Sequence, residues 1–187
     1  MKLYVLRHAE SLGNEADLTD NNSLDAPDTN GLSERGKQQA RDVADKLEKH
    51  HYDIVIVSPL RRTRETVGPY LERNRVDVIV SSLTAERNAG VFAGKPKRTV
   101  KEYCVANGLD RVSFRPEGGE SILDVYERAK LFLDYLKNVF KGESVLLCGH
   151  INFIKCLDIL IMSEDIRKFY DSPSVGLKNA ELRGYDL

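Results

Sequence analysis

Cysteine is scarce in this 187-residue sequence, which contains only Cys104, Cys148 and Cys156. Their odd number and the lack of a CxxC pair argue against a disulfide framework, and no histidines stand at the spacing of a zinc site. We therefore expect a reduced, cytoplasmic chain that has no structural metal and needs no metal cofactor.

Long apolar runs are also missing, as is an excess of charge of one sign. No stretch approaches the ~18 apolar residues of a membrane span, and Arg7 ends the first apolar run. We expect neither a signal peptide nor a membrane partner. The 28 basic and 29 acidic residues give a formal net charge of −1, so no overall positive field favours nucleic acid. Any anion site must be local.

The rest of the sequence alternates between strand-like and helix-like patterns. Apolar or nearly apolar runs at 3–6, 54–57, 76–80 and 145–147 are typical of strands covered on both faces. Residues 180–185 predict a final edge strand. Because helices separate the first four runs, right-handed crossovers should connect them into a mainly parallel sheet. The sequence therefore predicts an α/β fold, a three-layer α/β/α sandwich.

Three helical segments support this layout. Apolar residues at helical spacing follow Ser33 and Ser121, which stand at N-cap positions, and a further helix contains Ile154. Over 63–74, Pro69 predicts a kinked or broken helix because proline removes a backbone donor. The length suits a single hydrophobic core, so one domain is expected to span the whole chain.

Two segments fall outside the alternation. Residues 12–34 contain no lysine or arginine and accumulate carboxylates among Asn, Thr, Pro and Gly, which predicts a long acidic loop. Residues 86–120 are rich in lysine and arginine, with Gly and Pro at both ends. This second segment predicts a basic excursion that lies over one edge of the sheet.

Charged and polar side chains follow each of the first four predicted strands. Arg7 and His8 follow the first strand, residues 58–62 the second, Glu86 the third and His150 the fourth. Ligands of open α/β sheets bind beyond the carboxyl ends of the strands, where these residues should meet. Two histidines, two or three arginines and a carboxylate at one edge indicate a site that processes anions.

The same residues resemble the histidine phosphatase superfamily, the phosphoglycerate mutase-like proteins. Leu6-Arg7-His8-Ala9-Glu10-Ser11 is similar to the RHG-type signature of that family, and the similarity covers nearly the whole chain. Further matching motifs lie at 32–40, 58–66, 86–94, 116–121 and 149–150. In the second arginine motif, Arg62 rather than Arg61 matches the phosphate-binding position. The resemblance implies a phosphoglycerate mutase-like fold.

The resemblance also implies a mechanism that the residue chemistry supports. An imidazole titrates at about 6.5, so His8 can be neutral near pH 7 and form a covalent phosphohistidine. The guanidinium groups of Arg7 and Arg62 suit a phosphoryl group whose charge spreads over three oxygens. His150, if cationic, would donate to the same oxygens.

Other matched residues would serve the leaving group and the substrate. Glu86 would act as general acid toward the leaving alkoxide and then as general base toward water. Asn14 would supply a neutral donor to the phosphate, and Arg87 would bind the substrate. Because the cations are built into the chain, no magnesium ion or other cofactor is expected.

Three functions remain open at this stage. The favoured one is hydrolysis of a small phosphomonoester, for which a sugar phosphate is one candidate. A second is mutase-type phosphoryl transfer, which needs a closed pocket and a second anion site. Candidates for that second site are Arg87, Lys95, Lys97 and Arg98. A third is a non-catalytic module that binds phosphorylated ligands, against which the intact His8, Glu86 and His150 argue. The sequence leaves the oligomeric state open.

Overall fold

The computed structural model describes residues 1–19, 22 and 28–187. Its centre is a five-stranded sheet with the strand order β3-β2-β4-β1-β5. The strands are β1 Lys2–Arg7, β2 Ile54–Val57, β3 Asp77–Val80, β4 Ser144–Gly149 and β5 Leu182–Asp186. β1, β2, β3 and β4 run parallel, whereas β5 lies antiparallel to β1. The predicted mainly parallel sheet is confirmed.

The helices connect the strands and cover both faces of the sheet. They are α1 Leu12–Glu15, α2 Glu34–Leu47, α3 Arg61–Leu71, α4 Thr99–Ala106, α5 Ile122–Val139, α6 Ile151–Met162 and α7 Ile166–Phe169. Ser33 caps α2 by accepting a hydrogen bond from the Gly36 amide at 3.0 Å. Ser121 and Asp124 form a capping box at the start of α5. None of the helices in the described ranges is long and apolar enough to cross a membrane.

Two hydrophobic layers hold the helices against the sheet. Phe132 of α5 and Phe153 of α6 pack in one cluster with residues of β1 and β4, among them Val145. Val43 of α2 lies in the other cluster with neighbouring strand residues such as Leu146. Because consecutive strand residues point to opposite faces, Val145 and Leu146 contribute to different layers. The three-layer sandwich is therefore confirmed.

One local prediction was wrong, and one of the two alternatives of another is excluded. β3 is not covered on both faces, since Val78 and Val80 are 43% and 56% exposed; the strand lies at the edge of the sheet, which its apolar composition alone does not reveal. The segment over 63–74 is not broken at Pro69, because α3 continues to Leu71. Pro69 stands in the last turn of α3, where the missing amide removes only one helical hydrogen bond.

The basic excursion forms one wall above the carboxyl edge of the sheet. Ala89, Phe92, Val100 and Cys104 make a small apolar cluster of their own. The excursion is tied to the first loop, since Thr19 donates from its amide to the Lys95 carbonyl at 2.7 Å. Much of the predicted acidic loop, residues 20–21 and 23–27, lies outside the described residues.

Candidate active site

The carboxyl ends of the four parallel strands surround a cavity of about 360 Å³. The pairing of β1 with β4 places the ends of these strands side by side at the floor of the cavity. Arg7 of β1 pairs with Gly149 of β4, and the His8 amide donates to the Gly149 carbonyl at 3.0 Å. The predicted site residues that line the cavity are Arg7, His8, Asn14, Arg62, Glu86 and Arg87. His150 is fully buried, and its ring centroid lies 5.1 Å from that of His8.

His8 is held with one ring nitrogen bonded to the backbone. Its Nδ1 lies 2.7 Å from the Ala9 carbonyl oxygen, which can only accept, so Nδ1 carries the proton. Burial, followed by the charges of Arg62 and Arg7, lowers the pKa of His8 well below 6.5. The ring is therefore neutral at pH 7, and Nε2 keeps the lone pair that a nucleophile needs.

Two guanidinium groups lie beside this histidine, the half-buried Arg7 and the buried Arg62. Arg7 donates through Nη1 to the Leu177 carbonyl at 3.0 Å, and burial lowers the pKa of Arg7 from its usual value. Arg62 is only 1% exposed and donates through Nη2 to the Asn22 side-chain oxygen at 2.8 Å. Because a guanidinium stays protonated in proteins, both groups place fixed positive charge beside His8.

His150 is positioned by a serine from the loop after β2. Its Nε2 lies 2.8 Å from the Ser58 Oγ, and the Leu60 amide donates a hydrogen bond to the same oxygen at 3.2 Å. Burial, followed by the charges of Arg62 and His8, lowers the pKa of His150 well below 6.5. The lowered pKa favours the neutral form of His150 near pH 7. A neutral ring still offers one N–H donor.

Glu86 and Asn14 approach the cavity from opposite loops. The Glu86 carboxylate is 7% exposed and accepts hydrogen bonds from the Arg87 amide at 2.8 Å and the Asn152 amide at 3.4 Å. The Asn14 side-chain oxygen accepts from Ser11 and Asn179, at 3.3 and 3.0 Å. The Asn14 Nδ2 group therefore remains as a donor.

Sequence reasoning missed several lining residues and named two that lie elsewhere. Asn22, Asn152, Lys155 and Tyr170 line the cavity without having been singled out, and so does Arg111 of the basic excursion. The sequence pattern gives little indication that these residues face the cavity, because each stands in a loop or on a helix whose orientation depends on packing.

Of the four candidates for a second anion site, only Arg87 and Lys97 line the cavity. Lys95 lies over the Phe92 ring at 5.0 Å from its centroid, and Arg98 pairs with Glu102 at 3.3 Å. In the described part of the chain, no group of three or more His, Cys, Asp or Glu side chains is arranged to hold a metal ion.

Comparison with known families agrees with this geometry. The sequence matches the model of the histidine phosphatase superfamily, branch 1, over residues 3–184. The chain belongs to this superfamily. The resemblance stated from the sequence motifs is thereby confirmed.

Two relatives of this chain carry phosphatase names. The chain is 31% identical over 190 residues to phosphoserine phosphatase 1 of Hydrogenobacter thermophilus, covering 96% of this chain and 83% of that protein. It is 32% identical over 146 residues to the fructose-2,6-bisphosphatase TIGAR of Mus musculus. That match covers 76% of this chain but only 53% of the mouse protein.

Solved structures show the same fold. The α-ribazole phosphatase of Shigella flexneri superposes with a TM-score of 0.86 and 20% sequence identity, covering all of this chain and 91% of the other. At this identity the likeness concerns the fold alone. The predicted phosphoglycerate mutase-like architecture and the membership of a phosphatase family are both confirmed.

Proposed function

We propose that this protein hydrolyses a small phosphomonoester through a covalent phosphohistidine on His8. The observation that carries the proposal is the unprotonated Nε2 of His8, held between two guanidinium groups at the floor of a small cavity. Nδ1–H of the same ring donates to the Ala9 carbonyl at 2.7 Å, which fixes the tautomer. The phosphatase names of the relatives support hydrolysis as the reaction.

The first half-reaction transfers the phosphoryl group to His8. Nε2 attacks phosphorus, an N–P bond forms, and the bond between phosphorus and the ester oxygen breaks. Glu86 in its protonated form gives its proton to the departing alkoxide. Arg7 and Arg62 bind the equatorial oxygens throughout, and the Asn14 amide adds a neutral donor. Nδ1–H of a neutral His150 adds a second one, with the Ser58 hydroxyl donating to Nε2 of the same ring.

The second half-reaction returns the enzyme to its starting state. The Glu86 carboxylate takes a proton from a water molecule as its oxygen attacks phosphorus. The N–P bond breaks, inorganic phosphate leaves, and the electron pair returns to Nε2 of His8. Glu86 ends protonated, ready for the next ester. Arg7, His8, Asn14, Arg62 and Glu86 line the cavity, and His150 lies beside His8, which supports these roles.

The proposed partner is a small phosphorylated metabolite. The cavity of about 360 Å³ is near the lower limit for ligand pockets, which favours a small molecule over a macromolecule. We also propose a cytoplasmic location, supported by three cysteines that are all free and buried.

Hydrolysis of p-nitrophenyl phosphate by the purified protein tests the function. We expect turnover that a chelator leaves unchanged and that His8→Asn lowers by at least about 10³-fold. His50→Asn, at an exposed histidine far along the chain, is the matched control and should keep wild-type activity. Absence of turnover by the wild-type protein on this ester and on a panel of phosphorylated metabolites would favour the binding module instead.

A second measurement separates hydrolysis from mutase chemistry. The phosphohistidine is allowed to form in the presence of excess 3-phosphoglycerate, and phosphate release is compared with phosphoryl transfer to this acceptor. We expect most of the phosphoryl group to appear as inorganic phosphate. Predominant transfer to the acceptor would identify a mutase.

A further inference from the structure

The cavity holds more positive charge than one phosphate group requires. Among the residues that the structure describes, six cationic side chains line it, against the single carboxylate of Glu86. The guanidinium groups of Arg7 and Arg62 match the two negative charges of a phosphomonoester. The remaining cations are Arg87, Lys97, Arg111 and Lys155.

Arg87 is the most deeply buried of these additional cations. It is 7% exposed, and its Nε donates to the Glu120 carbonyl oxygen at 2.8 Å. Its Nη2 is buried and has no hydrogen-bond partner among the described residues. The Glu120 carboxylate is engaged with Arg128, at 2.8 and 3.0 Å. A buried cation that lacks an anion carries a large desolvation penalty, which an anionic ligand would offset.

Tyr170 holds two further cations at the same cavity. Its ring is 2% exposed, with the Arg111 Cζ at 5.4 Å and the Lys155 Nζ at 4.9 Å from the ring centroid. Lys155 donates to the Tyr170 carbonyl at 2.9 Å and has no carboxylate partner within the described ranges. Arg111 pairs with Asp171 through Nη1. Both cation–π contacts restrict the side chains, which prepares them for a ligand.

Lys97 differs from these three residues. It is 41% exposed and lies 3.5 Å from the Asp17 carboxylate, so its charge is largely screened. The cations that add to the phosphate site are therefore Arg87, Arg111 and Lys155. Arg87 and Arg111 come from the two ends of the basic excursion, and Lys155 comes from α6.

We propose that Arg87, Arg111 and Lys155 form a subsite for a second anionic group of the substrate. The substrate is then a phosphomonoester that also carries a carboxylate or a second phosphate. The inference rests on the proposed function, since it assumes that Arg7 and Arg62 hold the scissile phosphate. It replaces the second anion site expected from the sequence, because Lys95 and Arg98 lie outside the cavity.

Two matched pairs of ligands test the subsite. 3-Phosphoglycerate and glycerol 3-phosphate differ only in a carboxylate that becomes a hydroxymethyl group. Fructose 1,6-bisphosphate and fructose 6-phosphate differ in the second phosphate. We expect kcat/KM to favour the more anionic member of at least one pair about tenfold or more. The favoured pair tells whether the subsite takes a carboxylate or a phosphate.

Variants connect this preference to the named residues. Arg111→Gln and Lys155→Gln should each reduce the preference about tenfold, measured as the ratio of kcat/KM within the favoured pair. Arg98→Gln is the matched control, because Arg98 belongs to the same basic segment, is exposed and does not line the cavity. It should leave the ratio unchanged.

Calorimetric binding to the His8→Asn protein separates the two proposals. This variant cannot form the phosphohistidine, so the dissociation constants of each pair report on the subsite whether or not the wild-type protein turns over. If p-nitrophenyl phosphate is not hydrolysed but 3-phosphoglycerate or fructose 1,6-bisphosphate binds tenfold more tightly than its partner, the subsite stands and the hydrolase does not. Equal binding within both pairs, or a preference that Arg111→Gln and Lys155→Gln both leave intact, would overturn the subsite.

Discussion

Lowering the pH from 7.5 to 5.5 should reduce the free energy of unfolding through His8 and His150, by at most about 2.7 kcal/mol for the two rings together. Burial and then the charge of Arg62 lower the pKa of both rings well below 6.5. In the unfolded chain each imidazole titrates at about 6.5 and takes up a proton over this range, whereas the lowered pKa of the folded rings opposes this uptake. The unfolded state binds more protons at low pH, so acid favours unfolding.

The magnitude follows from this difference in protonation. For one ring that stays neutral when folded, proton binding to the unfolded imidazole raises the unfolding equilibrium constant about tenfold between the two pH values. This factor equals about 1.4 kcal/mol. The contribution is fully present above the pKa of the unfolded histidine and is lost as the pH falls below it. Other groups that titrate between the two pH values contribute equally to the wild type and to a histidine variant.

Urea unfolding followed by far-ultraviolet circular dichroism at both pH values measures the effect. His8→Asn and His150→Asn should each reduce the pH-dependent loss by at most about 1.4 kcal/mol. His50→Asn is the control, because His50 is exposed and should not change the loss. If the wild type and both buried-site variants lose the same free energy between the two pH values, the cavity histidines are not held neutral and the reasoning fails.

Three further predictions concern catalysis, positioning and packing. Glu86→Gln should slow phosphohistidine formation from glycerol 3-phosphate by about 10² to 10⁴-fold in single turnovers, but slow p-nitrophenyl phosphate little, because the aryl oxide needs no proton. Ser58→Ala removes the hydroxyl 2.8 Å from the His150 Nε2 and should lower kcat about tenfold. Gly36→Ala should lower the thermal midpoint, since its Cβ would lie 1.9 Å from the Glu10 carbonyl oxygen. Gly68→Ala, with open space around the added Cβ, should stabilise α3 by roughly 0.5 to 1 kcal/mol.

Each of these predictions has a result that contradicts it. Equal losses with both esters would make Glu86 a structural or binding residue. Wild-type kcat in Ser58→Ala would show that His150 needs no partner for its ring. A Gly36→Ala protein as stable as Gly68→Ala would mean that the start of α2 shifts away from Glu10 at little cost.

Much of the site could be predicted because three of the strands are recognisable in the sequence as apolar runs. The apolar runs that became β1, β2 and β4 are continuous, and a polar residue such as Arg7 or His150 follows each within three positions. Parallel strands place their carboxyl ends at one edge of the sheet. The residues that follow these strands therefore lie at the same edge for any strand order. The caps Ser33 and Ser121 were predictable for a similar reason, since their signals are local.

The remainder depended on packing that a linear pattern does not contain. β3 has the composition of a central strand but lies at the edge, and strand order is set by the crossovers. Lys155 stands beside Ile154 in an apolar helix, and only the contact of α6 with Tyr170 turns it toward the cavity. Arg111 was visible as one of several basic residues, but its place in the cavity depends on how the excursion folds.

The account rests most directly on covalent phosphorylation of His8. The protein is mixed with a phosphomonoester, quenched in base during turnover and digested, and the phosphorylated peptide is identified by mass spectrometry. We predict one acid-labile, base-stable phosphoryl group on the peptide that contains His8, formed and consumed at rates compatible with kcat, and none in His8→Asn. A phosphoryl group on another residue, or undiminished turnover by His8→Asn, would contradict the account.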